Sequence, residues 1–216
     1  MALVATALRR TRLAAYGLTR ECLRAQFRAA AAGAPPVLVI SAALYWLGWT
    51  SWGDAIALSA LQVIVLLALG WMLRGWRDEG AERWAGLALL LPPALLLAAQ
   101  PGAVAWRLPV RLLATFALVA PAEEMLFRGY IQTRLNEAFG RPYRMLEAGW
   151  GWGLVLTAIL FGVWHLVSPF DPFSGRYELA WTWGLWTAFA GLLLGWARER
   201  TGGLVAPWLW HGLINL

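Results

Sequence analysis

The chain of 216 residues contains no lysine; its eighteen basic residues are all arginine. It has one cysteine, two histidines and only 14% charged residues. A single cysteine, Cys22, excludes an intrachain disulfide. It is too isolated to anchor a thiolate metal site, and its place in the N-terminal arm argues against a nucleophilic role. Soluble domains carry about 25% charged and about 45–50% apolar residues. This chain is 60% hydrophobic, with a mean hydropathy of +0.57, so the shortage of charge excludes an ordinary soluble domain. Period-2 alternation is missing, which excludes a membrane β-barrel. The hydrophobic segments show no internal repeat of the kind many transporters have.

What is there instead is a series of apolar blocks. Seven stand out, at 35–52, 54–73, 84–99, 108–127, 150–168, 178–197 and 203–216. A membrane-spanning helix needs about 20 mostly apolar residues, so the third and seventh are short. The expected fold is all-α: a polytopic membrane helical bundle of about seven spans, forming one domain over 34–216.

The arginines give its orientation. Six precede the first span (Arg9, Arg10, Arg12, Arg20, Arg24, Arg28), and three follow the second (Arg74, Arg77, Arg83). Four follow the fourth (Arg128, Arg134, Arg141, Arg144) and two follow the sixth (Arg198, Arg200). The opposite connections hold only Arg107, Arg111 and Arg176. Fifteen against three places the N-terminus in the cytoplasm by the positive-inside rule. The expected location is the cell inner (plasma) membrane, multi-pass. Basic residues spread over four connections make no single surface for nucleic acid. Residues 1–33 lack the order of a signal peptide, because Arg20 and Arg24 interrupt any apolar core. Arg20, Arg24 and Arg28 fall four apart, on one helical face, as in a basic interfacial helix lying on anionic lipid.

Ionisable groups inside spans cost about 2.5–3.5 kcal/mol at the centre on insertion scales, and are functional candidates for that reason. They are few: Glu123, Glu124 and Arg128 in the fourth span, His165 in the fifth, and His211, with polar Asn215, in the seventh. Glu124 and Arg128 are four apart and can pair on one face. Glu123 lies about 100° round the helix and is left without that partner. One acid is neutralised structurally, and the other is available as a general base. Phe161 and His165 share a face, as do His211 and Asn215, which can both donate to one oxyanion. Along their helices Glu123 and His165 each lie about 18–21 Å in from opposite faces, which brings them to one depth.

The stretches "EEMLFR", "FGVWH" and "HGLIN" match Glu-Glu-x-x-x-Arg, Phe-x-x-x-His and His-x-x-x-Asn, in that order. With "RERTGGLVAPWLWHGLINL" they make residues 108–216 resemble the CPBP family, which contains the type II CAAX prenyl endopeptidases and the bacterial Abi proteins. The resemblance implies an intramembrane endopeptidase of the glutamate type. Glu123 and His165 would activate a water, and His211 and Asn215 would stabilise the oxyanion. Glu124 and Arg128 would support the site, with Phe161 packed beside it. It implies no cofactor or metal. The substrate would be a membrane-associated protein or peptide cut near its C-terminus, as in CAAX-type or sorting-signal processing, by a small bacterial member. Two other readings stay open. One is a zinc hydrolase using His165, His211 and Glu123, although no HExxH helix is present. The other is a non-catalytic partner-binding or immunity protein.

Overall fold

The computed structural model describes residues 13–18, 23–74, 110 and 112–215. The protein is mostly helical. A short 3-10 turn, Leu13–Tyr16, precedes α1 (Leu23–Leu47) and α2 (Trp52–Met72). Helix α3 covers 114–139 and is built of four joined segments: Ala114–Val119, Ala120–Glu124, Met125–Ile131 and Gln132–Phe139. A two-stranded hairpin follows, β1 (Tyr143–Met145) and β2 (Ala148–Trp150), and then α4 (Trp152–Leu166). A loop with a 3-10 turn at Pro172–Ser174 leads to α5 (Trp181–Thr201) and α6 (Val205–Ile214).

Only α1 and α2, among the described helices, are both long and apolar enough to cross a bilayer. Six of the seven blocks fall on helices, whereas 84–99 lies outside the described residues, as do Arg20 and Cys22. The seventh block is a helix of ten residues, about 15 Å long, and so reaches only about halfway through a 30 Å core. Helix α1 starts at Leu23 and runs through Gly33, Pro35 and Pro36 without a break. Helix α3 runs well past the apolar block at 108–127, because its polar continuation is turned inward: Gln132, Thr133 and Asn136 are buried.

Close contacts fix how the helices run. Leu154 of α4 lies against Gly195 of α5, Ala158 against Gly191, and Gly162 against Gly184, so these two helices are antiparallel. A Cβ on Gly191 would stand 2.9 Å from the Ala158 Cα, a separation only glycine allows. Helix α6 runs parallel to α1, with Gly33 under the Trp210 ring and the Gln26 side chain accepting from the Val205 N–H. That bond caps α6, whose own N-cap, Leu204, offers no side-chain acceptor. The bundle thus has two ends. The hairpin end carries β1–β2, the C-termini of α2, α3 and α5, and the N-termini of α1, α4 and α6. The loop end carries the 167–180 connection and the opposite termini. Large aromatic side chains are exposed near both, Tyr45, Trp46, Trp52 and Phe173 at the loop end and Trp71, Phe139 and Trp152 at the hairpin end, as interfacial belts are.

Nothing in the hydropathy pattern announces the hairpin. Its turn, Leu146–Glu147, has φ of 51° and 62°, a geometry usually taken by Asn-Gly. Long-range contacts hold it: Leu146 sits where Gly70 leaves room, and Glu147 pairs with Arg200 at 2.8 Å. Nearby, Glu199 ties α5 to α3. It accepts from Gln132 at 2.7 Å, from Asn136 at 2.6 Å and from Arg141 at 2.6 Å.

Two stretches of α3 are π-helical. In the first, the Ala120 N–H bonds to the Thr115 carbonyl, five residues back. The next carbonyl, Phe116, would need the N–H of residue 121, which is a proline and has none. The indole N–H of Trp208, on α6, supplies the donor at 2.7 Å. Trp208→Phe should leave that carbonyl unsatisfied and destabilise the protein by about 1–3 kcal/mol. Thermal unfolding in detergent checks this; an unchanged midpoint would show that water serves the carbonyl instead.

Candidate active site

The acids sit on the single α-helical turn between the two π segments, Ala120–Glu124. Single-turn π segments inside helices are frequently found at functional sites. Glu124 and Arg128 are both fully buried, and Arg128 Nη1 donates to Glu124 Oε1 at 2.8 Å. Arg128 Nη2 lies 3.4 Å from the Gly191 carbonyl, and its guanidinium stands 4.3 Å from the centre of the Phe161 ring, a cation–π arrangement. The pairing expected from the four-residue spacing is present.

Glu124 has a second partner that spacing could not reveal. His211 Nδ1 lies 2.7 Å from the same Oε1. The carboxylate accepts, so the hydrogen is on Nδ1, and Nε2 is turned the other way. It stops 3.8 Å from Glu123 Oε2. His165 is arranged alike. Its Nδ1 donates to the Phe161 carbonyl at 2.9 Å, and its Nε2 lies 4.0 Å from the same Glu123 oxygen. Among the described residues, Glu123 Oε2 is buried and accepts no hydrogen bond. Both gaps are too long for direct hydrogen bonds, but each is open to one bridging water.

Phe161 binds the group together. Its ring is 4.5 Å from the His165 ring, 5.7 Å from His211 and 5.0 Å from Phe127. Glu123, His165, His211 and Asn215 all line one cavity of about 670 Å³ with Phe161. Glu124 and Arg128 stand behind it. All seven residues singled out in the sequence therefore gather at one place. The sequence reading missed the aromatic wall, chiefly Trp49, Trp164, Trp183 and Trp186. Trp183 packs on His165 with ring centres 5.2 Å apart. With sixteen tryptophans in the chain, nothing local marks these. No group of three or more His, Cys, Asp or Glu side chains among the described residues is placed to hold a metal ion.

Fold and site together define a helical membrane protein with a carboxylate–histidine centre inside its bundle. Residues 105–216 match the family model described as type II CAAX prenyl endopeptidase, Rce1-like, and the chain belongs to that family. The resemblance to the CPBP proteins drawn from three short motifs is borne out. The family is one of proteases, so the protein is a peptidase at the level of its family. No curated protein and no solved structure matches the chain.

Proposed function

We propose that the protein is an intramembrane endopeptidase that cuts a membrane-associated protein or peptide near its C-terminus, using a water activated by Glu123 and His165. The observation that carries this is the convergence of both histidine Nε2 atoms on one buried oxygen of Glu123. A water between Glu123 Oε2 and His165 Nε2 can donate one hydrogen to each, since both atoms carry lone pairs. Glu123 takes the proton as the water oxygen attacks the peptide carbonyl. The carbonyl oxygen becomes an oxyanion, and the leaving amine receives the proton in return.

His211 Nε2 can donate to that oxyanion only as an imidazolium, because its neutral form keeps the hydrogen on Nδ1. Glu124 Oε1 is shared between Arg128 and His211, so the carboxylate fixes the imidazole with its Nε2 turned toward the cavity. Asn215, at the C-terminal end of α6 and in the same cavity, supplies the second donor. Asn215→Ala should lower kcat by about 10²–10³ with little change in substrate affinity. Wild-type turnover in that variant would remove Asn215 from the oxyanion site.

The protein sits in the plasma membrane with its N-terminus in the cytoplasm, and the reaction needs no metal. The decisive experiment compares membrane proteomes of cells lacking the protein and complemented with wild type or Glu123→Gln. The expected result is a protein whose C-terminal segment is lost only with wild type. If no protein changes length, or if cleavage needs added zinc after chelation, the reading fails.

A further inference from the structure

The cavity has a mouth, and the arginines show which way it faces. The rim is built at the loop end: Tyr45, 81% exposed, near the C-terminus of α1, Trp164 and Ser168 around the C-terminus of α4, and Trp49 stacked on Trp183 with ring centres 5.2 Å apart. The charges lie elsewhere. Arg24, Arg28, Arg74, Arg134, Arg141, Arg144, Arg198 and Arg200 are all at the hairpin end, by the course of their helices. Among the described residues only Arg176 lies at the loop end, paired with Asp171 at 3.1 Å. Eight against one is a strong bias, and the positive-inside rule assigns the arginine-rich end to the cytoplasm.

We infer that the cavity receives its substrate from the face of the membrane opposite the cytoplasm, so that the substrate is the membrane-anchored tail of an exported protein. The lining fits an apolar peptide segment. Its wall is aromatic, and among the described residues Glu123 is its one acidic side chain. The substrate class rests on the peptidase reading; the direction of the mouth does not.

Site-directed labelling separates the two. In a Cys22→Ser background, Tyr45→Cys and Phe173→Cys mark the loop end, and Gly149→Cys marks the hairpin, where an added side chain meets nothing within 4 Å. A membrane-impermeant maleimide is applied to intact bacterial cells and to lysed ones. Tyr45→Cys and Phe173→Cys should label in intact cells, and Gly149→Cys only after lysis. Labelling of Gly149→Cys in intact cells, or of Tyr45→Cys only after lysis, overturns the inference. The proteins that stay uncleaved with Glu123→Gln should carry their soluble parts outside the cytoplasm; a set with cytoplasmic soluble parts overturns the substrate class. If the labelling is as expected but no protein changes length, it is the peptidase reading that falls.

Discussion

Glu123→Gln is expected to lower peptide cleavage by about 10⁴-fold, to background, without loss of thermal stability. Glutamine keeps the shape of the side chain but has no lone pair basic enough to take a proton from water, and general-base catalysis is worth up to about that factor. The stability half of the prediction comes from the geometry. Glu123 Oε2 accepts no hydrogen bond among the described residues, and its nearest partners are the two histidine nitrogens at 3.8 and 4.0 Å. The substitution therefore breaks no direct bond to this oxygen. Cleavage of the tail identified by proteomics, measured beside unfolding in the same detergent, checks both halves. Wild-type turnover would take Glu123 out of the chemistry, and a large fall in stability would make it a structural residue.

Glu124→Gln is expected to do the opposite first. It should destabilise the protein by about 3–5 kcal/mol, because it leaves the fully buried Arg128 without its counter-charge. Activity should fall as well in whatever folds, since the same oxygen holds His211 at 2.7 Å. The Gly191 carbonyl and the Phe161 ring remain as partners for Arg128, but neither carries a full negative charge. The two adjacent glutamates are thus distinguished by a pair of measurements: activity alone lost at Glu123, stability and activity both lost at Glu124. Equal unfolding midpoints for wild type and Glu124→Gln would contradict this division.

The site was legible because a membrane makes polar residues conspicuous. Glu123, Glu124, Arg128, His165 and His211 stand out against apolar neighbours, and the four-residue spacing of Glu124 and Arg128 implies their contact. Spacing within a helix says nothing about contacts between helices. The bond from His211 to Glu124, and the edge-to-face contact of Trp183 with His165, come from the packing of α5 and α6 against α3 and α4. The length of α3 was hidden for a related reason. Gln132 and Asn136 lower the local hydropathy, yet both are buried against Glu199. Leu146–Glu147 lacks the glycine or asparagine that announces a tight hairpin turn, because contacts from α2 and α5 hold it instead. The π turns leave no periodic trace at all.

The dependence of the Phe116 carbonyl on Trp208 couples two distant positions genetically. The indole is needed only because residue 121 is a proline. Any other residue there restores an N–H five positions after Phe116, and Trp208 then becomes replaceable. The two sites are epistatic: a substitution that is harmful at 208 beside Pro121 turns nearly neutral once Pro121→Ala is in place. The non-additivity of the pair measures what the missing N–H is worth. A lineage could lose the tryptophan, but it would have to lose the proline first.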